Sequence, residues 1–196
     1  MCIRDRKYIE QDEVIVLDGL KNGQALSVYE GIKNANLNCD KPLHITACDS
    51  TAIFNKQAYL ELINSEQFDV IVFGAENYPY SKRSPHSYGW IGVKNQSNII
   101  EKISVKKPIG QNLSQPIVIS DFTFKKADIF NTAVESMVNR NGKVNNEFYI
   151  DECINDCIEL GYKVIYFPVD YYVSWGTPEE FKTFNYWQEC FKSWEG

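Results

Sequence analysis

The sequence predicts an α/β protein with a mixed, largely parallel central sheet that is covered by helices on both faces. Its 196 residues are 44% hydrophobic and 23% charged, which suffices to bury the core of one ordinary domain. Short continuous apolar runs alternate with segments of helical spacing, a pattern typical of parallel strands joined by helices. The sequence has no internal repeat, low-complexity tract or linker, and these features together indicate a single domain.

The first part of the chain predicts three buried strands separated by two helices. Continuous apolar runs at 14–17, 43–47 and 69–74 predict the strands. Apolar residues recur at helical spacing within 23–32, and a second helix is predicted around 56–63. Because each helix connects two strands, this order predicts parallel crossovers.

The middle of the chain differs in pattern. Residues 78–87 are rich in Pro, Ser and aromatic residues and predict a loop. The runs at 89–93, 99–104 and 117–124 resemble strands without long crossovers between them. An antiparallel part of the sheet is therefore expected here.

Helices resume in the last third of the chain. Segments 126–138 and 147–160 show helical spacing, and 163–168 predicts another strand. The final helix begins at a Gly-Thr-Pro sequence in which Thr177 is the predicted N-cap and Glu180 stands three residues later.

Charge and cysteine usage exclude several classes of protein. With 20 Lys and Arg against 26 Asp and Glu, the net charge is −6 and the pI is about 5.0, whereas nucleic-acid-binding modules need a basic surface. No run approaches the roughly 18 apolar residues of a membrane span. The six cysteines are scattered without CxxC pairs, which indicates a reducing compartment and predicts a cytoplasmic protein.

The amino-terminal string Met-Cys-Ile-Arg-Asp-Arg at residues 1–6 is not a signal peptide, because no apolar stretch follows its arginines. It resembles translated adapter sequence at the ends of environmental gene fragments. We therefore predict that residues 1–6 are a non-native leader. Residues 7–196 would then form one domain that is incomplete at its amino terminus; a short native tail is the alternative.

Two candidate binding residues follow strands in the first part of the chain. Ligands of open α/β sheets bind beyond the carboxyl ends of the strands. Gly23 opens a helix, where backbone amides and a missing side chain let a phosphate or base approach, although such a Gly can be a simple turn. Asp49 follows a strand among small residues and is placed to bind Mg²⁺, which prefers one or two carboxylates plus phosphate oxygens. The alternative for Asp49 is a turn cap.

Three further candidates lie in the second half. If the segment after the last strand stays extended, Asp170 and Ser174 point to the same side. Lys106 and Lys107 form a basic pair before a proline, where a lysine can bind a phosphate as a point charge, although two such lysines are usually part of a solvated face. Glu147, at the mouth of a helix, can accept hydrogen bonds from hydroxyl groups, although acidic residues also favour helix starts through the helix dipole.

Short motifs follow one another in a characteristic order: Gly-Gln-Ala at 23–25, Asp49, Tyr-Gly at 88–89, Lys-Pro at 107–108, Asn-Glu-Phe-Tyr-Ile-Asp at 146–151 and Trp-Gly-Thr-Pro-Glu at 175–179. By their order and spacing, the chain resembles the sugar-1-phosphate nucleotidyltransferases, the NDP-sugar pyrophosphorylases with a GT-A-like fold. This resemblance covers roughly residues 12–190. It implies a Rossmann-like three-layer sandwich that lacks its first βα unit.

The resemblance also implies residue roles. Gly23 and Gln24 would bind the nucleotide, with Gln24 against the nucleobase. Asp49 would ligate Mg²⁺ and Lys107 would hold the acceptor phosphate, which makes these two the catalytic residues. The residues that bind the acceptor would be Tyr88, Gly89 and Glu147.

Three departures from the family pattern modify these expectations. The Gly-x-Gly-x-Arg loop that cradles the triphosphate is not found before residue 12, which predicts weak or no turnover by this chain. Ser174 stands where the family often has a second metal-binding Asp, so Asp170 is the candidate replacement ligand. Lys106 replaces the usual Glu before Lys-Pro, which predicts an altered acceptor pocket.

The predicted function is Mg²⁺-dependent transfer of a nucleotidyl group from an NTP to a phosphorylated acceptor such as a sugar 1-phosphate, for surface-polysaccharide precursor synthesis. One alternative is a GT-A glycosyltransferase that consumes a nucleotide-sugar, although Cys48-Asp49-Ser50 offers one acid instead of an Asp-x-Asp pair. Another is a non-catalytic nucleotide-binding or assembly domain, which Ser174 favours. A homo-oligomer contact is predicted at an aromatic stripe on the last helix: Phe181, Phe184, Trp187, Phe191 and Trp194.

Overall fold

The computed structural model describes residues 14–65, 67–94, 97–111 and 113–194; the leader predicted at 1–6 lies outside them. The helices among these residues are α1 (Gln24–Asn34), α2 (Lys56–Asn64), α3 (Pro79–Arg83), α4 (Ala127–Asn139), α5 (Ile150–Glu159) and α6 (Pro178–Trp194). The strands are β1 (Leu43–Ile45), β2 (Ser50–Ile53), β3 (Val70–Ala75), β4 (Gly89–Val93), β5 (Ile100–Val105), β6 (Ile117–Phe124), β7 (Val164–Pro168) and β8 (Tyr171–Ser174).

The predicted α/β class and three-layer arrangement are confirmed. A six-stranded sheet has the order β5-β4-β6-β3-β7, with β1 also paired to β6. Buried residues of α1, α4 and α5 form one core cluster against the sheet. The α2 residues Ala58, Tyr59, Leu62 and Ile63 pack into a second cluster that contains other sheet residues. Helices therefore cover both faces of the sheet.

Strand direction differs from the predicted, largely parallel sheet. In the part of the chain that the structure describes, β3 and β7 pair in parallel, whereas β6 runs antiparallel to β1, β3 and β4, and β4 runs antiparallel to β5. The apolar runs predicted burial correctly, since every residue of β3 is buried. Burial on both faces follows from the covering helices, and it does not specify strand direction.

Strands β1 and β4 pair with the same edge of β6, at opposite ends of it. Ile45 of β1 is opposite Phe122, whereas Trp90 of β4 is opposite Ile117. Between these contacts, Ser120 adopts a left-handed backbone with φ of 62°, which is uncommon for a residue that is not Gly. The unpaired edge between β1 and β4 opens a cleft in the sheet.

A separate two-stranded antiparallel sheet joins distant parts of the chain. Strand β2 pairs with β8, with Ser50 opposite Ser174 and Ile53 opposite Tyr171. This ladder places the turn before β2 next to the segment that connects β8 to α6.

Two local predictions are wrong. Residues 14–17 form no strand, and the side chain of Val16 is exposed. The segment 78–87 contains α3 and a short 3-10 helix at Pro85–Ser87, because a proline stands in the first turn of each. The predicted N-cap of α6 is confirmed, since Thr177 Oγ1 accepts a hydrogen bond from the backbone N–H of Glu180 at 3.2 Å.

Helix α6 leaves much of its aromatic stripe exposed. Trp187 and Phe191 are about half exposed and Trp194 more so. A groove of about 510 Å³ lies between this helix and the side chains of Tyr78, Tyr80 and others. The oligomer contact predicted for this helix stays a prediction. No helix in the described ranges is both long enough and apolar enough to cross a bilayer.

Candidate functional site

The cleft beside β6 consists of two adjoining cavities. The outer cavity, of about 480 Å³, is lined by residues of α1, the 46–49 turn and the start of α5. The inner cavity, of about 280 Å³, lies against β4, Lys106, Tyr149 and the β8–α6 connection. Gln24, Asp49 and Ser120 line both cavities. The two cavities therefore form one continuous site.

The position of Asp49 at the centre of the cleft follows from the β2–β8 ladder. Its backbone carbonyl accepts a hydrogen bond from the N–H of Trp175 at 3.0 Å. Its Oδ2 atom lies 2.7 Å from the point where a Cβ on Gly176 would stand. A larger residue at Gly176 would thus displace the Asp49 carboxylate.

The start of α1 is joined to the segment before α5. The N–H of Ala25 donates to the carbonyl of Phe148 at 3.1 Å, and the N–H of Phe148 donates to the carbonyl of Asn22 at 2.9 Å. Gly23 between them has φ of 112°, and a Cβ there would lie 2.5 Å from the Phe148 oxygen. Only glycine fits this turn, which orients Gln24 toward both cavities.

Substituting Gly23 tests this close approach. Gly23→Ala is expected to lower the free energy of unfolding by about 2 kcal/mol or more, because it adds backbone strain and a collision with Phe148. The matched control is Gly31→Ala in the same helix, where a Cβ would meet nothing within 4 Å and better helix propensity should stabilise by about 0.5–1 kcal/mol. Urea denaturation measures both, and equal effects of the two substitutions would contradict the account.

Asp151, in the first turn of α5, lies over the backbone of β4. A Cβ on Gly89 would overlap its Oδ2 atom. Burial raises the pKa of the Asp151 carboxyl to about 6, although the positive charge of Lys106 acts in the opposite direction. The ammonium group of Lys106 donates to the carbonyl of Ser87 and lies 5.3 Å from the ring centroid of Tyr149. The inner cavity therefore holds a cation and a poorly solvated carboxyl close together.

The raised pKa of Asp151 predicts a pH-dependent cost in stability. Because the folded-state pKa of about 6 exceeds the ordinary 3.8, the folded protein binds this proton more tightly than the unfolded chain. Stability from this group is present below about pH 4 and is lost as the pH rises to about 6. Asp151→Asn is therefore expected to stabilise the protein by about 1–3 kcal/mol near pH 8. Chemical denaturation should show no comparable gain near pH 4, and a loss of stability near pH 8 would refute the assignment.

Glu180 is a buried carboxylate in the wall of the inner cavity. It accepts hydrogen bonds from the hydroxyls of Tyr78 at 2.8 Å, Tyr88 at 3.1 Å, Ser174 at 3.1 Å and Thr177 at 2.9 Å. Burial and this carboxylate raise the pKa of both tyrosines. These contacts join the β8–α6 segment to the residues just before α3 and β4, and they occupy the four hydroxyl groups.

Solved structures share this architecture, although no family model and no curated protein matches the sequence. A nucleoside-diphosphate-sugar pyrophosphorylase from Vibrio cholerae RC9 has a TM-score of 0.68 at 16% identity, covering 86% of this chain and 66% of its own. A protein described as a glucose-1-phosphate thymidylyltransferase from Bacillus anthracis has a TM-score of 0.62 at 14% identity, and the match covers 85% of this chain and 61% of that protein. The inositol-1-phosphate CTP transferase from T. maritima has a TM-score of 0.56 at 13% identity, and the match covers 81% of this chain and 58% of that protein.

The chain shares the fold of these three nucleotidyltransferase structures. It spans between 58% and 66% of the length of these three structures. The resemblance inferred from short motifs is thus confirmed at the level of the nucleotidyltransferase fold.

Several predicted site residues meet in the cleft of this nucleotidyltransferase fold. Gln24 and Asp49 line both cavities, and Tyr88 and Gly89 line the inner one. Gly23 forms the turn that holds Gln24. The roles assigned to these residues stay predictions; the structure shows that the residues lie around one cleft.

Three predicted residues lie elsewhere. Lys107 and Glu147 are exposed and line neither cavity. Asp170 is exposed and donates its N–H to the carbonyl of Ile53 at 2.8 Å, at the opposite end of the β2–β8 ladder from Asp49. Four residues of extended chain separate Asp170 from Ser174, or about 13 Å.

The cleft also contains residues that sequence reasoning did not select. Lys106 lines the inner cavity in place of Lys107, because Lys106 has a left-handed backbone with φ of 56° that ends the alternation of β5. Asp151 and Glu180 belonged to recognised motifs, but their role as cavity walls depends on contacts with distant strands. For Ser120, we find no sequence signal.

The protein groups of the cleft supply only part of the coordination that a Mg²⁺ ion needs. In the described ranges no cluster of three His, Cys, Asp or Glu side chains is placed to hold a metal. Asp49 is an exposed carboxylate that opens to both cavities. One carboxylate together with substrate phosphates is a usual environment for Mg²⁺, so Asp49 would hold the ion jointly with a nucleotide.

Proposed function

We propose that this chain forms the substrate cleft of a Mg²⁺-dependent nucleotidyltransferase that joins an NTP to a phosphorylated acceptor, a sugar 1-phosphate, and releases pyrophosphate. The observation that carries the proposal is one cleft shared by the Gln24 helix start, the Asp49 carboxylate and the Lys106 ammonium. These groups supply contacts for a base, a metal–phosphate complex and a second phosphate, respectively. The likeness to nucleotidyltransferase structures supports the same reaction class.

In the proposed reaction, a phosphate oxygen of the acceptor attacks the α-phosphorus of the NTP. The new O–P bond forms as the bond to the bridging α–β oxygen breaks, and pyrophosphate leaves in line with the attack. Because the acceptor phosphate is already ionised, no general base is needed. Neither His44 nor His86 lines either cavity, which agrees with such a mechanism.

The chain's own groups align and neutralise two anionic reactants. Gln24 offers amide hydrogen bonds to the nucleobase, and Gly23 allows the close approach of the nucleotide. Lys106 holds the acceptor phosphate in the inner cavity in place of Lys107. When bound at Asp49, Mg²⁺ would offset the charge of the reacting phosphates. Catalysis by this cleft is therefore positioning plus electrostatics.

We place this activity in the cytoplasm, at the synthesis of precursors for surface polysaccharides. The support is the pattern of free cysteines and the Ser-Trp-Gly-Thr-Pro segment before α6, which resembles that of nucleotidyltransferases from polysaccharide gene clusters.

The test combines binding and product analysis. Isothermal titration calorimetry with each common NTP should show Mg²⁺-dependent binding by the chain. Added sugar 1-phosphate should then yield pyrophosphate, weakly if the triphosphate loop is required. Release of free nucleotide from a nucleotide-sugar would indicate a glycosyltransferase instead. Mg²⁺-dependent NTP binding with no product, in a protein that also carries the triphosphate loop, would favour a non-catalytic domain.

A further inference from the structure

Asp151 is a carboxylate of the inner cavity with one nearby cation, Lys106. It lines this cavity, and its position requires a glycine beneath it, since a Cβ on Gly89 would overlap its Oδ2 atom. Its carboxylate accepts a hydrogen bond from its own backbone N–H and lies within the field of the Lys106 charge, but no side-chain donor among the described residues binds it; the ammonium of Lys106 donates to Ser87. A carboxylate has about four acceptor positions, and one local backbone donor leaves most of them free toward the cavity, which points to a ligand with hydrogen-bond donors.

Several hydroxyl groups of the inner cavity are already occupied. The hydroxyls of Tyr88, Ser174 and Thr177 all donate to Glu180. Asp49 lies at the junction with the outer cavity, where the nucleotide is proposed to bind. On the acceptor side, Asp151 is therefore the carboxylate left to receive hydrogen bonds from a substrate.

Glu147, which the family resemblance suggests for this task, is positioned differently. It is exposed and lines neither cavity. It also accepts a hydrogen bond from the Tyr149 hydroxyl, whose pKa rises to about 12 through burial and this contact. Glu147 and Asp151 lie four residues apart in the chain. They form a matched pair of carboxylates, with Asp151 inside the cavity and Glu147 outside it.

We propose that Asp151, held over the bare backbone of Gly89, accepts hydrogen bonds from the hydroxyl groups of the phosphorylated acceptor and so selects its hydroxyl pattern. This assignment rests on the proposed function. Lys106 binds the phosphate and Asp151 binds the polyol part, which divides recognition between a cation and a carboxylate in one cavity. Asp151 therefore adds nothing to the affinity for a phosphate that carries no polyol group.

The test measures binding of three probes near pH 8, where Asp151 is ionised: glucose 1-phosphate, inositol 1-phosphate and inorganic phosphate. Wild-type protein should bind at least one of the two polyol phosphates more tightly than inorganic phosphate. Asp151→Asn should weaken that binding about 10- to 100-fold, the size of a lost charge-assisted hydrogen bond. Inorganic phosphate should bind the variant within about twofold of wild type, because Lys106 is unchanged. Glu147→Gln is the control and should change neither affinity.

Each other result has a defined meaning. If Asp151→Asn binds the polyol phosphates as tightly as wild type, the role of Asp151 is overturned but the proposed function is not. The same conclusion follows if Asp151→Asn loses affinity equally for all three probes, or if Glu147→Gln loses affinity for the polyol phosphates and Asp151→Asn does not. A wild-type protein that binds neither polyol phosphate better than inorganic phosphate overturns the proposed function as well. Gly89→Ala provides a second variant, since it keeps the charge of Asp151 but displaces the carboxylate; unchanged polyol-phosphate affinity in that variant also contradicts the proposal.

Discussion

Asp49→Asn is expected to abolish the Mg²⁺-dependent part of nucleotide binding and, in an enzyme that carries the triphosphate loop, to slow pyrophosphate release by about 10³-fold or more. Asp49 is the carboxylate shared by both cavities, so its loss removes the protein's contribution to the metal. The amide keeps the size of the side chain, and its contacts with Gly176 and Trp175 should persist. Calorimetry with and without Mg²⁺ and a pyrophosphate assay measure the effect.

The matched control for this substitution is Asp170→Asn. Asp170 is an exposed aspartate at the other end of the same two-stranded sheet, and the proposed mechanism gives it no role. Its substitution should leave nucleotide affinity within about twofold of wild type, as is usual for surface changes. A large effect of Asp170→Asn would restore it as a metal ligand, and an unaffected Asp49→Asn would remove Asp49 from the site.

The largest stability effect is expected from Arg140→Ala. Asp156 on α5 is fully buried and receives hydrogen bonds from Arg140 Nε at 2.9 Å and Nη2 at 2.6 Å, with a third from Ser136 Oγ at 3.0 Å. Removal of the guanidinium leaves this carboxylate without its cation. A loss of about 3 kcal/mol in the free energy of unfolding is expected, because breaking a buried pair strands the remaining charge.

Lys182→Ala provides the comparison for Arg140→Ala. Its ammonium lies 3.2 Å from Glu179, and both side chains are more than 70% exposed. An exposed pair of this kind contributes at most about 1 kcal/mol. Urea denaturation of the two variants should therefore show a clear difference, and a cost below about 1 kcal/mol for Arg140→Ala would contradict the role of the buried pair.

The sequence predicted strands best where burial and turn residues agree. The bounds of β4 and β6 follow the predicted 89–93 and 117–124, because apolar runs there are flanked by Gly or Pro. Strand direction was not predictable in the same way, since the fully apolar β3 lies between an antiparallel and a parallel neighbour. Strand β2 was missed because its four residues alternate between partly buried and exposed positions next to β8.

The site was predictable where a motif specifies the backbone, and less so where side chains converge from distant strands. Gly23 and Asp49 could be selected as candidates because glycine turns and acids after strands have local causes. Lys106 could not be separated from Lys107, since a single left-handed residue decides which lysine enters the cavity. The place of Asp151 depends on Gly89, which is 62 positions away in the chain and in contact only after folding.

The most direct test of the account is a crystal structure of the protein with Mg²⁺ and a non-hydrolysable analogue of the NTP that binds best. We expect a metal ion about 2.1 Å from an Asp49 carboxylate oxygen, with the nucleobase beside Gln24 and the inner cavity left for the acceptor. A nucleotide bound outside this cleft, or a metal that Asp49 does not touch, would contradict it.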